Sequence, residues 1–217
     1  MINIIWDLDG TLIDSEKEVK QSLELALKKS GIDITKKIND FVVGPTIDKI
    51  ILNAFPNEMI TNEILNIIIN YFRDIYDNSD FEFTKPYNGI DEIISNTYDF
   101  KHHIITNKPD MPTNKILKIL KWSKYITSVN TPYTNINIKD EKKTKKELFN
   151  EVIINYKKND SLFIGIGDMK SDCIAAKDNG ITAIGVLWGT GTREELEKYS
   201  DYIFDNVKQL KNYLYNI

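Results

Sequence analysis

Two aspartates, Asp7 and Asp9, stand in the stretch Asp7-Leu8-Asp9-Gly10-Thr11-Leu12, directly after the apolar residues Ile2, Ile4, Ile5 and Trp6. Two positions apart, their side chains leave the same face of an extended chain, and Gly10 permits a sharp turn there. One carboxylate could attack an electrophile while the other moves a proton. Two further stretches end an apolar run on polar residues: Thr106-Asn107-Lys108, and Gly167-Asp168-Met169-Lys170-Ser171-Asp172. A lysine from a helix beginning near Thr144 adds an ammonium. Carboxylates, a hydroxyl, an ammonium and backbone N–H groups together are equipment for phosphoryl transfer assisted by a divalent cation. Asp is also common in caps and turns. For Asp7, Asp9 and Asp168 that plainer reading is disfavoured by their shared placement at strand ends, whereas Asp14 reads as a helix N-cap beside Ser15.

Such residues meet only if their strands lie parallel with their carboxyl ends along one crevice. A buried parallel strand reads as a near-continuous apolar run, as Ile2 to Trp6 does. From Lys85 onward helices and strands alternate, which predicts an α/β fold with a doubly wound, mostly parallel sheet. The predicted order is helix Ile90–Ser95, strand His102–Thr106, helix Thr113–Leu120, a short strand near Thr127–Val129, and helix Lys145–Tyr156. Strand Leu162–Ile166, helix Ser171–Asn179, strand Ile181–Val186 and a closing pair, Tyr202–Phe204 and Val207–Tyr213, follow. Tyr133 to Lys146 is polar and rich in Asn and Lys, an exposed loop by composition.

Between these parts the period is wholly helical. Ser15-Glu16-Lys17-Glu18 has capping-box spacing, and Gly31 ends the helix it opens. Helical spacing then runs over Ile38 to Val42, Ile47 to Ala54 and Ile64 to Ile75, with Pro45 suited to a first helical turn and Pro56 as a break. The expected division is a core of residues 1–14 and 85–217 with a helical insert at 15–84.

Composition narrows the class. The chain has 217 residues, 41% hydrophobic and 28% charged, as expected of a globular protein able to bury a core. A formal net charge of -4, with Arg73 and Arg193 the only arginines, argues against nucleic acid or an anionic membrane as partner. Met1-Ile2-Asn3-Ile4-Ile5 lacks the basic start of a signal peptide, and no apolar stretch is long enough to span a bilayer. One cysteine, Cys173, excludes an internal disulfide and suits the cytoplasm; it reads as a small buried residue. His102 and His103 read as structural, polar ends of a half-buried strand. A monomer is the default expectation.

The motifs DLDGTL (Asp7–Leu12), TNK (Thr106–Lys108) and GDMKSD (Gly167–Asp172), with PYNG (Pro86–Gly89) and WGTGTREEL (Trp188–Leu196), resemble the haloacid dehalogenase superfamily, in its phosphoglycolate phosphatase-like branch. The resemblance covers essentially the full chain. It implies that Asp7 attacks phosphorus to form an aspartyl phosphate and that Asp9 serves as acid and then base. It implies Mg²⁺ on the Asp7 carboxylate, the Asp9 carbonyl and Asp168, with Asp172 either a further metal ligand or a residue that orients the ligands or the lysine. The turn at Gly10-Thr11 aims both acids, Thr106 and the Asn107 N–H hold phosphoryl oxygens, and Gly10 and Lys108 count with them as phosphate-binding. The lysine is Lys145, which directly precedes an x-acid-aliphatic helix start, or Lys143; Lys142 and Lys146 read as a solvated charge run. The insert resembles the family's α-helical cap, with hinges near Asp14 and Phe83 to Tyr87 and substrate contacts around Val43-Gly44-Pro45-Thr46 and on the first cap helix.

The implied activity is Mg²⁺-dependent hydrolysis of a small phosphorylated metabolite. The presence of Asp9 favours phosphate esters over carbon–halogen bonds, whose leaving groups need no acid. Phosphoglycolate, a nucleoside monophosphate, pyrophosphate and a sugar phosphate all remain open as substrates. A β-phosphoglucomutase-like phosphotransfer is weakened by the lack of a histidine in the first cap helix. A non-catalytic binding protein on the same scaffold is disfavoured by the intact Asp7, Asp9, Thr106 and Asp168.

Overall fold

In a computed structural model, residues 1–32, 41–55, 60–132 and 143–217 are described. The break expected at Pro56, most of the helical run beginning at Ile38, Lys142, and the polar segment from Tyr133 to that lysine lie outside them. By contact pattern the chain forms two units, Met1–Asp14 with Pro86–Ile217, and Ser15–Lys85.

The first unit is built on a six-stranded sheet in the order β5-β4-β1-β6-β7-β8. Its strands are β1 (Ile2–Trp6), β4 (Phe100–Ile105), β5 (Ile126–Asn130), β6 (Leu162–Gly167), β7 (Thr182–Val186) and β8 (Tyr202–Phe204), every adjacent pair parallel. The short β2 (Ile13–Asp14) and β3 (Lys85–Pro86) pair separately. This is the α/β class expected from the alternating pattern. Trp6 pairs in register with Ile104 on one side and Ile166 on the other, so Asp7, Thr106 and Asp168 all follow at one rim.

Helices α4 (Ile90–Ile94), α5 (Asp110–Ile119), α6 (Lys145–Tyr156), α7 (Lys170–Asp178), α8 (Arg193–Glu197) and α9 (Val207–Leu214) accompany the sheet. Leu148, Phe149 and Val152 of α6 join Cys173, Ala175 and Ala176 of α7 in a core cluster with Ile5, Ile105, Phe163 and Ala183. That packing fixes α6 and α7, whose first turns carry site residues, against the strands that carry the others. Burial pushes the Cys173 thiol up to about 12, which suits an inert core residue.

His102 and His103 are not strand ends. β4 begins at Phe100, lies between β1 and β5, and leaves both imidazoles fully buried. His102 Nδ1 accepts from the Trp6 indole N–H at 3.1 Å, so its Nε2–H faces the Asn96 carbonyl at 3.2 Å. His103 Nε2 meets Asn3 Oδ1 at 3.2 Å and Nδ1 meets the Ser128 hydroxyl at 2.9 Å. Both rings are therefore satisfied as neutral imidazoles.

The second unit comprises α1 (Glu16–Lys29), α2 (Ile47–Ala54) and α3 (Asn62–Asn78). α1 packs on α3, burying Leu23, Ala26 and Leu27 with Ile68, Phe72 and Tyr76. The capping box expected at Ser15 does not form. Ser15 occupies the N-cap position but its side chain does not cap the helix, at φ -118° and ψ 6° rather than extended, and Asp14 lies in β2. Glu18 instead accepts from the Phe83 N–H at 2.9 Å, tying the start of the unit to its end. Pro45 precedes the N-cap Thr46 of α2 and so lies outside its first turn. No helix among the described residues is long and apolar enough to cross a membrane.

Candidate active site

Asp7 prolongs the ladder of β1: its N–H donates to the Ile166 carbonyl at 2.9 Å, fixing the backbone from which its buried carboxylate projects. The chain then turns back on itself, with the N–H groups of Leu12 and Ile13 donating to the Leu8 carbonyl at 2.9 and 3.1 Å. Gly10 sits in the turn at φ +82°, and a Cβ there would come within 2.3 Å of Asp168 Oδ2. Backbone conformation and space both demand glycine.

The lysine comes from the start of α6. Thr144 and Glu147 form a capping box, Thr144 N–H to Glu147 Oε2 at 2.7 Å and Glu147 N–H to Thr144 Oγ1 at 3.3 Å, which fixes the first turn. Lys145, the first helical residue, places Nζ 2.6 Å from Asp7 Oδ1 and also bonds Asp172 Oδ1. Lys143, named as an alternative, does not join them. It stands before the N-cap and pairs with Glu151 Oε1 at 2.6 Å, both side chains well exposed. Lys146 pairs with Asp178 on the surface, in keeping with a solvated charge.

Asp168 and Asp172 bracket the turn from β6 into α7. Asp172 Oδ2 accepts from the Met169 N–H at 3.1 Å. Asp168 is wholly buried; its Oδ1 accepts from the Thr11 hydroxyl at 3.1 Å, and its Oδ2 from Thr190 N–H and Oγ1 at 2.8 and 2.9 Å. The sequence marks Thr11 only as part of the turn with Gly10, not as a partner of Asp168, and does not single out Thr190. The only signal for Thr190 is its place within WGTGTREEL.

At the neighbouring strand end, Thr106 is buried, and its Oγ1 accepts from the Lys108 N–H at 3.1 Å. Asn107 is half-buried beside it. Lys108, grouped with phosphate binding on sequence grounds, places its ammonium 3.1 Å from Asp9 Oδ1.

Ligand oxygens of Asp7, Asp168 and Asp172 all lie within 4.8 Å of one another. Burial drives the Asp7 carboxyl well above the usual range; Lys145 opposes this, and Asp172 and Asp168 add to it. Burial and Asp172 likewise raise Asp168 against the Thr190 hydrogen bonds. For Lys145 burial disfavours the ammonium, but Asp172 and Asp7 outweigh it and hold its pKa above the ordinary value. One ammonium thus faces three clustered carboxylates. Their excess negative charge and all-oxygen donor set fit a hard divalent cation.

The chain matches the haloacid dehalogenase-like hydrolase family over residues 4–186. A 5'-nucleotidase of Pseudomonas aeruginosa is 25% identical over 203 residues, covering 91% of this chain and 87% of its own. A phosphoglycolate phosphatase of Aquifex aeolicus is 28% identical over 194 residues, covering 86% and 84%. The crystal structure of a predicted phosphatase from Clostridium acetobutylicum superimposes with a TM-score of 0.80 at 26% identity, over 99% of this chain and 98% of that one.

Proposed function

Since the chain belongs to the haloacid dehalogenase-like hydrolases, we propose that it hydrolyses the phosphate monoester of a small metabolite through an aspartyl phosphate on Asp7. The observation that carries this reading is the separate countercharge of the two acids: Lys145 lies on Asp7 and Lys108 on Asp9. A carboxylate kept against Lys145 suits a nucleophile, and a second one held two residues away suits proton transfer.

In the first step an Asp7 oxygen forms a bond to phosphorus as the ester P–O bond breaks, and Asp9 gives its proton to the departing oxygen. In the second, Asp9 takes a proton from water, whose oxygen attacks phosphorus and releases inorganic phosphate and the Asp7 carboxylate. Thr106 and the Asn107 N–H hold phosphoryl oxygens, and Lys145 offsets the charge gathered at Asp7. Asp7, Asp168 and the Asp9 carbonyl would hold a divalent cation, Mg²⁺ by the family's habit, with Asp172 orienting Lys145; the cation would neutralise phosphoryl charge. The helical unit would serve as a cap that selects the substrate.

The test is release of inorganic phosphate from a panel of phosphorylated metabolites with Mg²⁺, against an EDTA control. Phosphoglycolate and nucleoside monophosphates come first because of the names its relatives carry. Phosphate release that fails with Asp7→Asn supports the reading. Isomerised sugar phosphate without free phosphate would favour phosphotransfer, and no turnover of any ester would favour a binding protein.

A further inference from the structure

We infer that Thr190 is a positioning residue that turns Oδ1 of Asp168 toward the cation and so sets the affinity of the site for it. The inference rests on the proposed role of Asp168 as a metal ligand.

A carboxylate oxygen offers two lone pairs, and Asp168 distributes its donors unequally. Oδ2 takes two hydrogen bonds, both from Thr190, through the N–H at 2.8 Å and the hydroxyl at 2.9 Å. Oδ1 takes one from the Thr11 hydroxyl at 3.1 Å, which leaves a lone pair for a further partner. Sterics agree. A Cβ on Gly10 would fall 2.3 Å from Oδ2 but 3.0 Å from Oδ1, and one on Gly189 2.4 Å from Oδ2, so backbone crowds Oδ2 on two sides and Oδ1 less closely on one. The oxygen with capacity and room for a cation is therefore Oδ1.

Thr190 is itself held in place. It lies in the segment between β7 and α8, and the Trp188 indole two residues before it donates to the Thr11 carbonyl at 2.9 Å. Thr11, Asp168, Thr190 and Trp188 close a ring in which each member fixes the next. Removing the Thr190 hydroxyl frees one lone pair on Oδ2 and loosens the rotation of the carboxylate. Losing such an outer hydrogen bond weakens metal binding by about 10- to 100-fold.

Calorimetric titration with Mn²⁺ tests this on the full chain, comparing wild type with Thr190→Val, Thr190→Ser and Asp168→Asn. Valine keeps the shape and the backbone N–H; serine restores the hydroxyl. The expected result is Mn²⁺ binding about tenfold weaker or more in Thr190→Val, within about twofold of wild type in Thr190→Ser, and lost in Asp168→Asn. Binding by Thr190→Val as tight as wild type would overturn the inference, as would equal weakening by the valine and serine variants. Mn²⁺ binding by wild type that survives in Asp168→Asn, or no binding at all by wild type, overturns instead the reading of Asp168 as a ligand.

Discussion

The ammonium of Lys108 lies 3.1 Å from Oδ1 of Asp9, with Lys108 buried and Asp9 nearly so. The lysine that follows Thr106 and Asn107 in the chain thus serves the second aspartate across two strand ends. If it holds Asp9 for proton transfer, Lys108→Met lowers kcat by about 10- to 100-fold with a smaller change in KM, and Lys108→Arg recovers part of the loss. Steady-state kinetics decides the point. A rise in KM at unchanged kcat would make Lys108 a substrate contact instead.

Asp7→Asn is expected to abolish phosphate release, and Asp9→Asn to slow it by roughly 10²- to 10⁴-fold. The two variants also differ in kind. Under acid quench Asp9→Asn is expected to retain a phosphorylated chain and Asp7→Asn none, because only the former keeps the proposed nucleophile.

The two lysines offer a sharper comparison. Lys145 touches Asp7 and Asp172, whereas Lys143 pairs with Glu151 at the surface. Lys145→Ala is expected to cost about hundredfold or more in kcat, and Lys143→Ala to stay within about twofold of wild type. Equal losses in the two would contradict the assignment of Lys145.

Acid stability should carry the signature of β4. Burial pushes both His102 and His103 down to about 4 from the ordinary 6.5, with His102 and Lys101 adding to the effect on His103. The unfolded chain takes up these protons below pH 6.5 while the folded chain refuses them until about pH 4, so stability is full above the window and lost as pH falls through it. The loss is roughly 3 kcal/mol per histidine. Asp7 and Asp168, held above their usual range, contribute in the opposite sense. Urea unfolding of wild type beside His103→Gln isolates the term, since the carboxylates are common to both. The variant should show the shallower acid-side decline.

Much of this arrangement is legible in the residues themselves. Apolar runs that stop at Asp7, Thr106 and Asp168 mark strand ends, because a charged or polar group can follow a buried strand only where the sheet opens. Thr144 with Glu147 announces the start of α6 and thereby puts Lys145, not Lys143, in its first turn. Ser15 and Glu18 have the same kind of spacing and mislead, because Glu18 finds a better partner in the distant Phe83 N–H. α8 has only five residues and too little periodicity to detect. Thr190 and the heading of the Lys108 ammonium depend on contacts across the sheet rim, which no local pattern encodes.

The register of β1 bears on how the centre is assembled. Residues Ile2 to Trp6 pair with Phe100 to Ile104 and with Leu162 to Ile166, so the central strand is made first and its two neighbours much later. Asp7 has its backbone partner only when the Ile166 carbonyl is in place. On a ribosome the strand that ends at Asp7 can meet its first neighbour about halfway through synthesis, but must wait for the second until most of the chain has emerged. Pairing over such separations is slow. Catalytic competence should be among the last properties a nascent chain acquires, and a chain cut before β6 should have none.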